Sequence, residues 1–263
     1  MSNNPLSPYG IKPQNDVDSQ IYVEERHNDA VVIDLLMHPL GTLVALASAA
    51  VVDATSVTLQ AGHGASVTVG DVLEFRYQTV VQQAIVLSIA TDVISLDRRM
   101  DFAFPTSTIV RTASPSLAVS GSLATPVIFR MGPNGMSSDY YWDITRMIFQ
   151  ITDSTVMDDG KFGGLSALTN GLVVRYLDQN DVWHTVFNAK TNGQMALEAF
   201  DAVYATNAPA GQYGLRVRRS FNGPDKNATV IRLYENCILC VYIQDDLTGL
   251  DDFRCVIQGH VGS

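Results

Sequence analysis

The sequence predicts a mainly β protein with an extended N-terminal arm, a small β-barrel and then an antiparallel, jelly-roll-like β-sandwich. Two runs of β-branched segments separated by turn signals predict the two β units, at residues 54–113 and 122–263. Asn-Gly dipeptides, which favour tight hairpin turns, occur only in the second run. Residues 1–53 are assigned to the arm with a short helical segment, and residues 114–121 to a linker.

The arm comprises about the first 30 residues, which are polar and contain few side chains able to form a core. Such a segment cannot bury enough apolar surface to fold alone, so we expect it to become ordered only against a neighbouring subunit. The candidate assembly residues of the arm are Pro5, Pro8, Tyr9, Pro13 and Tyr22.

Two short helices are predicted between the arm and the barrel. The spacing of Val32, Leu35 and Leu36 is compatible with a helix that ends before Pro39. A second helix is predicted over Leu40–Ala50, which is rich in Leu and Ala.

Five or six short strands are predicted in residues 54–113, with turns at Gly62-His63-Gly64, Gly70-Asp71 and Thr91-Asp92. Many short strands in so few residues favour a barrel, because closure removes exposed strand edges. Residues 114–121 are small and polar and include a proline, as is typical of a linker.

Seven or eight longer antiparallel strands are predicted in residues 122–263, a number typical of a β-sandwich or jelly roll. Residues 194–204 are left open as a short helix or a loop. The predicted hairpin turns are Asn134-Gly135, Asn170-Gly171, Asn192-Gly193 and Asn222-Gly223.

The composition excludes several classes of protein. With 263 residues, 46% hydrophobic and only 17% charged, the chain has ample material for a core and is neither disordered nor fibrous. Its formal net charge of −10 repels phosphate backbones, so we expect no nucleic-acid partner. Arginine greatly outnumbers lysine, which indicates either surfaces that face other proteins or simply genomic base composition.

The cysteines and the N-terminal segment indicate a reducing compartment. An odd number of cysteines argues against a disulfide framework, and Cys237 and Cys240 are predicted to point to opposite faces of a strand rather than to share a metal. We therefore expect buried free thiols. The apolar run Val31–Val52 is interrupted by Asp34 and Pro39, which excludes a membrane-spanning helix there. Without a secretory signal, we expect synthesis in the cytosol.

No catalytic motif is present, and none of the five histidines lies in a pattern that would make it a base or a metal ligand. Aspartates crowd residues 153–160 and 245–252, where they could hold Ca²⁺ or form solvated turns. Neither segment matches a calcium-binding loop. We therefore expect no enzyme activity and no cofactor.

The candidate contact residues are arginines and tryptophans. Arg216 and Arg218 are predicted to share a strand face, near Arg232 on a neighbouring strand. They would form a protein interface, contact a carbohydrate or pair with acids across strands. Trp142 and Trp183 could stack on a sugar, although Trp142 also fits the buried start of a strand.

The segment Asp139–Phe149, continued by Lys161–Gly164 and Leu168–Leu172, resembles a β-sandwich module of virion proteins from tailed bacteriophages. The segments Val69–Phe75, Ile94–Arg98 and Phe104-Pro105 are similar to small barrels of phage tail and baseplate components. The resemblance covers roughly residues 55–175, about half the chain. It implies a building block of a phage particle and carries no catalytic residues.

The expected function is therefore structural. We expect an oligomeric virion protein, assembled in the bacterial cytoplasm, that joins copies of itself and other virion proteins in the tail tip, baseplate or fibre-attachment region. A head decoration or neck protein is the alternative within this class. A carbohydrate-binding module for host-surface glycan is the alternative from another class, and a glycan hydrolase comes third.

Overall fold

The computed structural model describes residues 32–39, 41–78, 80–113, 119–133, 140–197, 201–207, 210–221 and 230–262. These residues form a mainly β structure with antiparallel sheets, which confirms the predicted fold class. The arm residues Pro5, Pro8, Tyr9, Pro13 and Tyr22 lie outside the described residues.

The elements follow one another along the chain as strands, with a single turn of 3₁₀ helix at His63–Ser66 and a short α-helix, α1, at Asn192–Leu197. The strands are β1 (Val32–Leu36), β2 (His38–Pro39), β3 (Thr42–Ala45), β4 (Ser56–Thr58), β5 (Val72–Tyr77), β6 (Val80–Ala90), β7 (Val93–Leu96), β8 (Ile109–Ala113), β9 (Val127–Met131), β10 (Tyr141–Asp153), β11 (Leu172–Leu177), β12 (Trp183–Ala189), β13 (Asp201–Asn207), β14 (Gln212–Ser220), β15 (Ile231–Leu233), β16 (Ile238–Ile243) and β17 (Asp252–Gly262).

Two of the three sheets form a sandwich. Sheet A has the order β1-β17-β10-β14-β13, with β15 also paired to β10, and sheet B has the order β12-β11-β16-β9-β2. The strands β1-β17-β10-β14 face β9-β16-β11-β12, which is the order of the paired Greek keys of a jelly roll. The sandwich is therefore jelly-roll-like, as predicted.

The core of the sandwich is built by alternation along its two longest strands. Phe149 and Ile151 of β10 are fully buried, and so are Phe253 and Cys255 of β17, while the residues between them face outward. A bulge at Thr145 shifts the register, so that Trp142 and Ile144 keep facing inward before it. Phenylalanine rings from both sheets meet in the centre, with centroids about 6 Å apart.

The third sheet, sheet C, curls into the barrel. Its order is β3-β8-β5-β6-β7-β4, and its two end strands meet again where Ala47 N donates to Thr58 O at 2.8 Å and Gln60 N donates to Ala45 O at 2.8 Å. The barrel has its own core, in which the rings of Phe75 and Phe104 lie 5.4 Å apart.

The two helices predicted over residues 31–50 are wrong, because this segment forms β1, β2 and β3. The side chains of Ile33 and Leu35 are buried while Asp34 between them is exposed, a period of two residues that only a strand gives. The domain boundaries differ accordingly. β1 and β2 belong to the sandwich and β3 to the barrel, so the barrel is inserted between two strands of the jelly roll.

The Asn-Gly dipeptides do not form the predicted hairpins where the structure describes them. Asn170-Gly171 ends a long connection into β11, and Gly171 has a φ of +101°. Asn192 starts α1, and its buried amide accepts a bond from Gly163 N at 2.7 Å and donates to Asp158 O at 2.8 Å. The dipeptides at 134–135 and 222–223 lie outside the described residues.

A buried charge cluster joins the barrel to the sandwich. Glu74 of β5 is fully buried, and its carboxylate accepts a hydrogen bond from Arg76 Nε at 2.7 Å and from Gln83 Nε2 at 3.0 Å. His38 Nε2 of β2 lies 3.2 Å away, and Arg111 of β8 completes the cluster at 3.7 Å. The other ring nitrogen, His38 Nδ1, lies 2.7 Å from the carbonyl oxygen of Pro39, so the ring is held between two oxygen atoms.

The same cluster also bonds to the backbone of the sandwich. Gln83 exchanges two hydrogen bonds with the backbone of Leu36, at 2.8 and 2.9 Å, and Arg76 Nη1 donates to Gly132 O at 2.5 Å. Burial alone would raise the pKa of Glu74. The charge of Arg76 and the hydrogen bond from His38 outweigh it and hold that pKa well below its ordinary value.

We predict that Glu74→Gln lowers the free energy of unfolding at pH 7 by about 3–5 kcal/mol, because it leaves the partly buried Arg76 and Arg111 without their carboxylate. The pKa of Glu74 is lower in the folded than in the unfolded chain. Its stabilisation is therefore present above the ordinary pKa of 4.5 and is lost as the pH falls. Denaturant unfolding from pH 7 down to pH 2 should show the native chain and the variant converging in acid.

The exposed Asp101, also in the barrel segment, supplies the matched control. Asp101→Asn should leave the unfolding midpoint within about 0.5 kcal/mol of the native chain. A Glu74→Gln variant that unfolds like the native chain at pH 7 would contradict the structural role of the cluster.

Candidate interaction surface

Trp142 cannot act as a sugar platform, because its side chain is completely buried on the inner face of β10. The Arg76 guanidinium lies over its ring, 5.5 Å from the centroid, so the residue packs beneath the charge cluster. The alternative interpretation, the buried start of a strand, describes it correctly. Its assignment as a contact residue is therefore wrong.

Trp183 remains accessible, with 38% of its surface exposed on β12 at the edge of sheet B. Arg175 lies 5.1 Å from its ring centroid and 5.8 Å from that of Tyr242, and the two rings meet edge to face. Arg175 thus takes up part of the aromatic surface that a sugar would need. What remains is a small cationic and aromatic patch.

Arg232 links two neighbouring strands of sheet A. It binds the Asp143 carboxylate through two nitrogens, both at 2.8 Å, and lies 4.0 Å from the ring centroid of Tyr141. The hydrogen bond to Asp143 raises the pKa of Arg232 further above its ordinary value. This is the cross-strand pairing alternative, which connects β15 to β10.

Arg216 and Arg218 lie on the outer face of β14, because the residues between them point into the core. Arg218 pairs with Asp201 of β13 at 3.1 Å. Arg216 is exposed and contacts no carboxylate among the described residues. In the register of sheet A it lies beside Gln150 of β10, which is followed by Arg254 of β17. Arg254 in turn pairs with Asp252 at 2.6 Å, so Arg216 is the arginine of this row that has no carboxylate partner among the described residues.

A groove of about 620 Å³ runs along this face, next to β13. Small side chains form the floor of the groove. Gly214, which has no side chain, pairs with Thr152 on one side and with Ala205 on the other. Arg216 lies at its side as the one exposed cation of the lining, which also contains the carboxylates of Asp153 and of the exposed Asp251. The lining includes Gln150, Thr206, Asn207 and Gln212.

The strand beside this groove, β13, is an open sheet edge. It pairs with β14 alone among the described strands, and all of its residues from Val203 to Asn207 are exposed. Both of its faces are therefore accessible to solvent. It contains neither lysine nor proline, the residues that commonly protect an edge from pairing with another chain.

The aspartate-rich segments form turns. Asp245 accepts bonds from the backbone nitrogens of Asn170 and Gly171 at 3.0 and 2.8 Å, and Asp153 accepts one from Thr155 at 2.8 Å. These carboxylates act as local caps. In the part of the chain that the structure describes, no three His, Cys, Asp or Glu side chains are arranged to hold a metal ion.

The cysteines are buried free thiols, as predicted. Burial raises the pKa of Cys240 to about 11 and that of Cys255 well above its ordinary value. Both thiols are therefore protonated at neutral pH and unreactive. A cysteine introduced at an exposed position would therefore be labelled selectively by a thiol reagent.

The chain matches no family model, and no curated protein or solved structure is similar to it. None of the described helices is long and apolar enough to cross a membrane. The resemblance to tailed-phage virion proteins thus stays a prediction.

Two functional features were missed at the level of sequence: the open edge of β13 and the groove beside it. A signal for the edge was present, because residues 201–207 read Asp-Ala-Val-Tyr-Ala-Thr-Asn, a β-prone run without a protecting lysine or proline. The groove had no such signal, since it depends on the register that places Gly214 between Thr152 and Ala205.

We predict that the two tryptophans differ sharply in their effect on stability. Trp142→Ala should lower the free energy of unfolding by about 3–5 kcal/mol, because it leaves a large cavity in the core. Trp183→Ala, at an exposed edge, should cost less than about 1 kcal/mol. Denaturant unfolding followed by circular dichroism measures both, and equal losses would contradict the burial described here.

Proposed function

We propose that the chain is a non-catalytic structural subunit of a tailed-phage virion, which joins neighbouring subunits in the tail tip, baseplate or fibre-attachment region. The sequence resemblance over residues 55–175 supports the kind of particle. The surface of the barrel supports the role in assembly. A position on the head or in the neck is the alternative within the same class.

The observation that carries the proposal is the apolar outer surface of the barrel. Leu43 of β3 and Ile109 of β8 are 59% and 55% exposed, and the pairing of Ala45 with Ile109 places them on neighbouring strands. A second exposed group lies around β6, where Leu87 is 57% exposed and Val69 is 60% exposed. Large apolar side chains that stay exposed on neighbouring strands suit a surface that binds another protein.

The buried cluster around Glu74 supports the same role mechanically. Its hydrogen bonds attach the barrel to the backbone of both Leu36 and Gly132 in the sandwich. A subunit that transmits load between neighbours needs such a fixed connection, because a loosely tethered barrel would move independently of the sandwich.

A glycan-binding module is the second candidate function, and the groove on sheet A favours it. The amides and hydroxyls beside Arg216 suit the hydroxyls of a sugar, and Arg216 suits a carboxylate that lies away from Asp251 of the same lining. The fully buried Trp142 weighs against it, because it removes one of the two expected stacking platforms.

We predict that the purified chain self-associates with increasing concentration and that Leu43→Lys combined with Ile109→Lys lowers the mass of the assembly at a given concentration, because it removes the contact made by the barrel. Two buried lysines without partners would oppose docking of the apolar surface. Size-exclusion chromatography with light scattering measures the mass. Val182→Lys, at an exposed position of the sandwich, is the control and should assemble like the native chain. A native chain that is monomeric at every concentration would contradict the proposal.

A separate experiment tests the position of the chain in the phage particle. Gold-labelled antibodies raised against the chain should decorate the tail end of purified phage particles in electron micrographs. Decoration of the head or neck would select the alternative within the class. If no particle is labelled, while the chain binds host-surface glycan and Arg216→Glu abolishes that binding, the glycan-binding function replaces the structural one.

A further inference from the structure

The open edge of β13 offers a site for one more strand of sheet A. Its backbone groups on the side away from β14 pair with no strand that the structure describes. Adding an extended segment to such an edge supplies main-chain hydrogen bonds, while the side chains of the neighbouring strands provide specificity. The side chains around this edge therefore indicate which segment fits.

Those side chains favour a segment with one acidic face and one apolar face. On the outer face, β13 presents the short Val203 and Ala205 next to Arg216, whose guanidinium has no carboxylate partner among the described residues. On the opposite face it presents the ring of Tyr204, 43% exposed, whose hydroxyl donates to Asp159 at 2.6 Å and leaves the ring as the apolar surface. A strand that alternates acidic and apolar residues would match both faces at once.

Residues 16–24 of the arm have this alternation. Their sequence is Asp-Val-Asp-Ser-Gln-Ile-Tyr-Val-Glu. In an extended strand the odd-numbered Val17, Ile21 and Val23 would lie on one face and the even-numbered Asp16, Asp18 and Glu24 on the other. We propose that residues 16–24 of a second copy add to the open edge of β13, with their acidic side chains toward Arg216 and their apolar side chains toward Tyr204. The inference rests on the proposed assembly function and names the contact that the arm makes.

The reach of the chain favours a second copy over the same molecule. β1 lies at the opposite edge of sheet A, so a strand added beyond β13 is five strand spacings away from it, about 24 Å. From Glu24 to Val32 the chain spans at most about 26–29 Å when fully extended. A path within one molecule would leave almost no slack, whereas an arm from a neighbour has no such restriction.

The test uses introduced cysteines in the full-length chain, because the native Cys237, Cys240 and Cys255 are buried. One preparation carries Tyr22→Cys and a differently tagged preparation carries Ala205→Cys. The two are mixed and treated with a short bis-maleimide cross-linker, which tolerates an unknown register. We expect a covalent dimer that contains both tags. In the control pair Leu123→Cys, exposed in the loop before β9, replaces Ala205→Cys and should give no such dimer.

A charge reversal provides the second part of the test. Adding Arg216→Glu to the Ala205→Cys chain should reduce the cross-linked fraction about fivefold, because it repels the acidic face of the segment. Arg98→Glu, an exposed charge reversal on the barrel, should leave the fraction unchanged. Equal cross-linking with Arg216→Glu and with Arg98→Glu would overturn the proposed contact.

The remaining outcomes separate this inference from the proposed function. A chain that assembles but yields no mixed dimer overturns the inference and leaves the assembly function standing. A link that forms only within a single chain carrying both cysteines also overturns it. Loss of both assembly and cross-link contradicts both proposals. An acidic oligosaccharide that binds the native chain through Arg216, without any arm cross-link, assigns the groove to a glycan instead.

Discussion

The ionised carboxylate of Glu74, buried without access to water, is the constraint on which the arrangement of the molecule depends. A buried charge is tolerable only when it is paired and hydrogen-bonded, and its partners come from β2, β5, β6 and β8. One of them, His38, belongs to the sandwich. The barrel supplies the other three partners, so seating it against the jelly roll completes the set with His38 and fixes the position of one unit on the other.

This seating determines how the surfaces are presented. The exposed apolar side chains of the barrel and the outer face of sheet A around Arg216 belong to one connected body, joined through Gln83 and Arg76 to the sandwich backbone. Under the proposed function, the two surfaces would bind different kinds of neighbour, one apolar and one acidic. A subunit with two unlike contact surfaces can bind in two directions, which an extended or closed assembly requires and a solitary binding domain does not.

Local patterns predicted the fold class well, because alternation and β-branched runs report directly on which residues can form half-buried strands. These local patterns could not predict which strands pair over long distances in the sequence. β1 pairs with β17 at the other end of the chain, so nothing near Ile33 and Leu35 distinguishes a strand of the sandwich from a short helix. The same limit applies to the candidate site. Arg218 and Arg232 could be placed on strands, but their partners Asp201 and Asp143 followed only from the register.

The chain enters the barrel through β3 and leaves it through β8, and these two strands are directly paired, Thr42 opposite Thr112. The inserted unit thus has its entrance and exit side by side, at the spacing of one strand. In evolutionary terms this is a cassette: a different module with adjacent ends could occupy the same position while every pairing of the host jelly roll stayed as it is. Related chains could then diversify their attachments by exchanging the barrel and keeping the sandwich.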